Sequence, residues 1–329
     1  MAIVVSSVPE ARFQKFNVSW PEGWEVRYIP APYTDEQVIE AAKDADYLLI
    51  GSVDVLSEKA IRALPNLKLI HTEGVSFDKV SIDAAAELGI PVCNNRAVNK
   101  EAVGEHCVTM MLAGVKRVAY LDRSIREKGY AATNTEFVAA GLHEIGGMTV
   151  GMIGMGAIGK EVVARLSGWN TTMVYYDPFR MTPEQEKALN VEYKDLDELF
   201  AISDIISIHV PVLPSTINMI NRESMQKMKN SVLIVNNSRG EIVNNDDLVW
   251  ALENDIIGGA ALDTIAPEPM PDDHVLLHMS PKAEAKLTMT THIAGRTDEA
   301  FARMLVWAKE NFLRVENGEK PINVTNGVK

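Results

Sequence analysis

The chain has 329 residues, enough for two domains at about 150 residues each, so no disulfide or metal is needed to hold a core. Acidic residues outnumber basic ones by 45 to 32, a net charge of −13, which argues against nucleic acid and anionic membrane surfaces as partners. Cys93 and Cys107 are too few for a disulfide framework, the apolar stretch before Arg12 is too short for a signal sequence, and no apolar run reaches the ~18 residues of a membrane span; a reduced, cytoplasmic protein is expected.

Short apolar runs alternate with helical patterns along the chain. Ala2–Val5, Val26–Ile29, Tyr47–Ile50 and Leu67–His71 read as strands, with helices at Asp35–Ala45 and Ser57–Leu64 between them. Thr34 followed by Gln37 is a capping-box start. Lys100–Lys128 reads as a long helical stretch, a natural connector that joins two domains by helices. A second strand series runs through Met148–Ile153, Thr172–Tyr176, Ile205–Val210, Val232–Asn236, Ala260–Leu262 and Leu287–Thr290. Its helices include Ile158–Leu166, Pro183–Ala188, Leu196–Ile202, Asp246–Asn254 and Asp298–Val315. Thr182, Pro183 and Gln185 supply an N-cap, a proline at N1 and a box partner at N3. Strand–helix alternation predicts an α/β protein whose parallel sheets are covered on both faces.

Between the strand at Met148–Ile153 and the helix at Ile158–Leu166 lie Gly154, Gly156 and Gly159, in G-x-G-x-x-G spacing. Gly154 permits the tight turn, Gly156 lets backbone approach a pyrophosphate, and Gly159 lets the helix pack on the strand. The amides of Ala157 and Ile158, at the positive helix terminus, are placed for phosphates. Asp177, at the end of the next strand, suits ribose hydroxyls and repels a 2′-phosphate, which predicts NAD (NADH) over NADP. Arg180 is the one nearby feature that favours NADP.

Three further strand ends carry charge. Val232–Asn237 opens into Ser238, Arg239 and Gly240, and an Arg at the carboxyl end of a core strand sits where open α/β sheets bind ligands. Its planar fork matches a carboxylate. Glu268 is held between Pro267 and Pro269, and His292 follows the apolar run Leu287–Thr291. A carboxylate beside a histidine favours imidazolium, so Arg239, Glu268 and His292 together suggest an acid–base site. Singly, they read as a surface Arg, a turn Glu and a capping His.

These motifs resemble the D-isomer-specific 2-hydroxyacid dehydrogenase family. Its carriers are Gly154–Gly159 (GMGAIG), His209–Pro211 (HVP) with Thr216, Asn237–Gly240 (NSRG), Ala261–Asp263 (ALD) leading to Pro267–Pro269 (PEP), and His292–Gly295 (HIAG). Glu73–Asp78 (EGVSFD) resembles the family's substrate-carboxylate loop and Ala102–His106 (AVGEH) its inter-domain helix signature. The resemblance implies two Rossmann-like or flavodoxin-like parallel-sheet domains with a cleft between them. The substrate domain would be 1–101 plus 293–329, and the NAD-binding Rossmann domain 102–292. It implies that Arg239 binds the substrate carboxylate and polarises the 2-oxo group, that His292 donates the proton in reduction, and that Glu268 keeps His292 protonated. Gly74 and Val75 amides would clasp the carboxylate. Val210, Pro211, Thr216, Asn237 and Ser238 would line the path of the cofactor, and Asp263 would accept from the nicotinamide carboxamide. The segment 118–146 corresponds to an arm that pairs subunits, so a homodimer is expected.

The chain departs from the family pattern in four places. Ser76 stands in place of a glycine in the carboxylate loop. Gly104 replaces an alanine and is expected to loosen a hinge. Thr291 precedes His292 where proline is frequent, and no aromatic residue follows His292, which disfavours D-lactate. His274 and His278 have the spacing of a helical metal pair but lack a third ligand, so a loop pair without metal is expected. Cys107, Met110, Met111, Met152 and Met155 read as core, and His106 and His209 as structural. The leading reading is NAD-dependent reduction of a 2-oxo acid to a D-2-hydroxy acid. The alternative is an NADH-responsive regulatory protein resembling corepressors on related folds.

Overall fold

The computed structural model describes residues 2–328. Contacts divide the chain into two compact units, Met1–Asn99 with Arg296–Lys329, and Lys100–Gly295.

The first unit holds five parallel strands in the order β2-β1-β3-β4-β5: β1 (Ile3–Ser6), β2 (Glu25–Tyr28), β3 (Tyr47–Ile50), β4 (Leu69–Thr72) and β5 (Val92–Cys93). The second holds seven, again all parallel: β6 (Thr149–Ile153), β7 (Thr172–Tyr176), β8 (Glu192–Tyr193), β9 (Ile205–Ile208), β10 (Leu233–Asn236), β11 (Gly259–Leu262) and β12 (Leu287–Met289), in the order β12-β11-β10-β9-β6-β7-β8. The expected α/β class follows directly from side-chain alternation. On β3, Leu48 and Ile50 join one buried cluster while Tyr47 and Leu49 join the cluster on the other face. On β10, Ile234 faces one core and Leu233 and Val235 the other. Strands buried on both faces read as unbroken apolar runs, which is why the sequence marks them. Strand order in the second sheet reverses between β6 and β9, and the glycine-rich turn follows β6, at the switch point where open α/β sheets bind ligands.

Both capping boxes form: Thr34 and Gln37 open the helix Asp35–Ala42, and Thr182 and Gln185 open Pro183–Leu189. The helical stretch expected over Lys100–Lys128 is helical, as two helices, Lys100–Val115 and Val118–Lys128, separated where Arg117 turns left-handed at φ 52°. No glycine or proline announces this break. Arg117 instead lays its guanidinium over the rings of Tyr120 and Phe137, each 5.8 Å from the centroid. Gly104 does not loosen anything. A Cβ there would lie 2.7 Å from Glu161 Cβ, so glycine lets the helix Lys100–Val115 press against the helix Ala157–Leu166. Cys107 and the four methionines Met110, Met111, Met152 and Met155 are core, as expected.

One buried polar group gives the first unit a pH dependence. His71, on β4, is fully buried; its Nδ1 lies 2.8 Å from the Thr72 carbonyl oxygen and its Nε2 3.1 Å from Asn311 Nδ2. With Nδ1 donating and Nε2 accepting, the ring is neutral, and burial pushes its pKa down to about 4. The unfolded chain therefore binds a proton near pH 6.5 that the folded chain refuses, so stability is lost as pH falls from there toward 4. We expect a loss of roughly 2 kcal/mol from this group between pH 7 and pH 5, measured by urea unfolding. His71→Gln keeps a donor and an acceptor without that proton site and should flatten the dependence.

Candidate active site

The second unit brings Arg239, Glu268 and His292 to the carboxyl ends of β10, β11 and β12. His292 sits three residues past β12 with a left-handed backbone, φ 53°. Its Nδ1 lies 2.7 and 2.9 Å from the two oxygens of Glu268, and its Nε2 has no hydrogen-bond partner among the described residues. Nδ1 therefore donates to the carboxylate, and the outward nitrogen is free for a ligand oxygen. Both side chains are partly exposed, His292 by 33% and Glu268 by 49%, so solvent and ligands reach the pair.

The backbone of His292 is fixed from below by Asp263, which is buried at the end of β11. His292 N donates to the Asp263 carbonyl at 2.7 Å, while Ile293 N and Ala294 N donate to its carboxylate at 2.9 and 3.0 Å. Thr290 Oγ1 donates to the same carboxylate at 2.5 Å, and His106 Nε2 lies 3.2 Å from that hydroxyl. Asp263 thus holds the loop that carries His292, a use its sequence position did not reveal. His106, read as structural, belongs to this network.

Arg239 and Glu268 are fixed by side chains equally silent in the sequence. Asn236 Oδ1 accepts from Ser238 N and Ser238 Oγ, and Asn236 Nδ2 donates to the Arg239 carbonyl at 2.8 Å. Arg239 Nη1 donates to the Ser238 carbonyl at 2.8 Å. A Cβ on Gly240 would lie 2.2 Å from Ala266 N, so the Arg239 loop abuts the turn that carries Glu268. The Ala266 carbonyl of that turn accepts from Asn245 Nδ2 at 2.6 Å and lies 3.1 Å from His274 Nε2. His274 is a structural clamp, and His278 binds the Asp272 carbonyl; no cluster of three metal-binding side chains occurs among the described residues.

The glycine turn tests whether a dinucleotide fits. Gly154 has φ 96°, and a Cβ there would meet the His209 carbonyl oxygen at 2.6 Å. Gly159 would meet the Gly154 carbonyl oxygen at 2.6 Å, but Gly156 faces open space. The helix Ala157–Leu166 has no side-chain cap, so the amides of Ala157 and Ile158 face outward. Asp177 accepts from Met155 N at 2.8 Å and Phe179 N at 2.9 Å, which fixes it beside the turn. Asn237 and Thr264, past β10 and β11, have buried side-chain polar atoms with no partner among the described residues. Val210 packs beside Gly154, and Thr216 Oγ1 donates to the Pro211 carbonyl at 2.6 Å, closing the loop after β9. His209 is tied to Ser207 Oγ at 2.8 Å. Open glycine, uncapped helix, fixed carboxylate and orphaned polar atoms all suit a dinucleotide.

In the first unit, a Cβ on Gly74 would lie 2.2 Å from Ser52 Oγ. The Gly74 and Val75 carbonyls accept from Asn95 N and Asn94 Nδ2, leaving both N–H groups without partners among the described residues. Ser76 Oγ donates to Asp78 at 2.7 Å.

The family model for the D-isomer specific 2-hydroxyacid dehydrogenase NAD binding domain matches residues 108–294. The chain belongs to this family. The dehydrogenase is 35% identical to a glyoxylate reductase of Thermofilum pendens over 90% of its own length and 85% of the relative's. It is 33% identical to a D-3-phosphoglycerate dehydrogenase of Mycobacterium tuberculosis, of which it spans 56%. The apo structure of D-lactate dehydrogenase from Escherichia coli superposes with a TM-score of 0.78 at 29% identity, covering 98% of this chain and 99% of that one. The dehydrogenase is an NAD-dependent oxidoreductase that reduces 2-oxo acids.

Two glycines give opposite expectations. Gly240→Ala drives a Cβ into backbone and should cost about 1–3 kcal/mol of stability, seen as a lower melting temperature. Gly156→Ala meets nothing and should leave the melting temperature unchanged, while weakening NADH binding in a fluorescence titration because its methyl occupies the cofactor's approach.

Proposed function

We propose that the dehydrogenase reduces a small 2-oxo acid to the D-2-hydroxy acid, reversibly, with His292 as proton donor. The observation that carries this reading is the Glu268 carboxylate on His292 Nδ1 with Nε2 left free. NAD supplies the hydride chemistry when bound. The chain's own residues do the rest. Arg239 binds the substrate carboxylate and polarises the 2-oxo group, and in the first unit the unpartnered amides of Gly74 and Val75 are assigned as carboxylate donors. Imidazolium and guanidinium oppose the negative charge developing on the oxygen. Glu268 orients His292 through Nδ1. Asp177, Val210, Pro211, Asn237 and Ser238 take the cofactor around the turn Gly154–Gly159. The carboxylate of Asp263, expected to accept from the nicotinamide amide, is fully buried and turned onto Thr290, Ile293 and Ala294, so its role is to hold the His292 loop. The first unit is assigned to substrate and the second to cofactor. The glyoxylate reductases among the relatives support a short substrate.

His292→Ala should slow reduction by about 100- to 10,000-fold while NADH still binds. Glu268→Gln keeps a hydrogen bond to Nδ1 but removes the opposing charge. Without the carboxylate that orients the ring and opposes its charge, this variant should slow reduction by about 10- to 100-fold while NADH still binds. Arg239→Lys, which loses the bidentate fork, should weaken 2-oxo acid binding at every pH. An unchanged rate of reduction in Glu268→Gln would remove Glu268 from the proposed role.

We also propose a cytoplasmic homodimer. Both cysteines are free and buried, and among the described residues no helix is long and apolar enough to cross a membrane. The helices Val118–Lys128 and Tyr130–Ala140 expose Val118, Tyr130 and Val138 by 54, 73 and 76%, apolar surface that suits a second copy. Val138→Glu should lower the mass measured by light scattering from dimer to monomer; a monomeric wild type would overturn the assignment.

A further inference from the structure

Between Tyr176 and Glu186 the chain carries a single cation, Arg180, three residues past Asp177 across the turn that Asp177 closes on Phe179 N. A free guanidinium there would suit a ribose 2′-phosphate, as arginine does wherever phosphate is recognised in forked geometry. Arg180 is not free. Its Nε donates to Glu186 Oε1 at 2.9 Å and its Nη2 to Glu186 Oε2 at 3.2 Å. Its Cζ lies 4.8 Å from the centroid of the Tyr193 ring, so one face is covered as well.

Glu186 is itself held firmly. Its side chain is only 14% exposed, and Tyr175 OH donates to the same Oε1 at 2.8 Å. That hydroxyl in turn accepts from Met181 N at 3.0 Å, one residue past Arg180. Arg180 and Tyr175 keep the Glu186 carboxyl below the ordinary carboxylate range, so it is ionised at neutral pH. The capping box of Thr182 and Gln185, with Pro183 at the first helical position, fixes the helix that presents Glu186. Each contact draws the guanidinium onto the β8 side of the turn, against Tyr193.

We propose that Glu186 is a specificity-determining residue for the cofactor. By holding Arg180 against Tyr193, it withholds from a 2′-phosphate the one cation of this turn. NAD is then selected twice, by the Asp177 carboxylate and by the sequestered arginine. Glu186 acts through Arg180 and touches no reacting atom.

The test reads binding rather than turnover. Dissociation constants of NADH and NADPH are measured by fluorescence titration at low ionic strength for the full chain, and the NADPH-to-NADH ratio is compared among variants. Arg180→Ala should leave the ratio within about twofold of wild type, because the side chain already serves elsewhere. Glu186→Gln removes the charge that holds Arg180 and should lower the ratio by about five- to tenfold. Adding Arg180→Ala to Glu186→Gln should restore the wild-type ratio. A ratio that rises several-fold in Arg180→Ala alone would overturn the proposal, and that arm does not depend on how Glu186→Gln folds. An unchanged ratio in a Glu186→Gln protein with the wild-type melting temperature would overturn it too.

Discussion

The active-site geometry depends on one buried carboxylate. Asp263 lies at the end of β11, and its side chain is fully shielded from solvent. A carboxylate removed from water costs several kcal/mol unless its oxygens are satisfied. Here they are satisfied by the hydroxyl of Thr290 and the backbone amides of Ile293 and Ala294. Those amides point inward because His292 takes left-handed backbone, a conformation that costs a non-glycine residue about 1–2 kcal/mol. The His292 N–H turns the same way, onto the Asp263 carbonyl. Successive amides around a left-handed residue form an anion-binding nest. The hydrogen bonds that the left-handed turn makes possible offset both the strain at His292 and the burial of Asp263, and the imidazole is aimed as a consequence.

The same logic extends to the neighbouring strand ends. Asp263 N donates to the Asn236 carbonyl, so the ends of β10 and β11 are joined before either loop begins. Asn236 then uses its amide to brace Ser238 and Arg239, and Gly240 lets that loop lie against Ala266. Asn245 and His274 hold the Ala266 carbonyl, two residues before Glu268. Arg239 and His292 stand on loops tied to strand ends by the buried side chains of Asn236 and Asp263, and the turn that carries Glu268 is tied to Asn245 of the helix Asn245–Glu253 and to the buried His274. Rigid elements transmit their precision to the side chains through these ties.

Much of this was legible in the sequence, and the reason is local. Apolar runs on strands buried on both faces, capping boxes and the glycine turn each fit within a window of about ten residues. Arg239, Glu268 and His292 stood out because charge at the end of an apolar run is a local signal too. Thr290 and Asn245 did not stand out. Their partners lie on other strands or loops, as in the bond of His106 to Thr290 or of Asn245 to Ala266, and no spacing rule carries such contacts. The break at Arg117 was hidden for the same reason, since it rests on Tyr120 and the distant Phe137 rather than on a glycine or proline.

The glycines of the fingerprint show how far a motif can be read. Spacing treats Gly154, Gly156 and Gly159 alike, but the structure separates them. Gly154 is required by its positive φ and by the His209 carbonyl, and Gly159 by the Gly154 carbonyl, so both are demands of the fold. Gly156 has an ordinary φ, −72°, and nothing within 4 Å of its missing side chain. No internal contact explains a glycine there. A residue that the fold does not need but the motif keeps is explained by what approaches from outside, and the uncapped amides beside it select an anion. The two buried glycines make the turn, and the exposed one leaves open the face proposed for the dinucleotide.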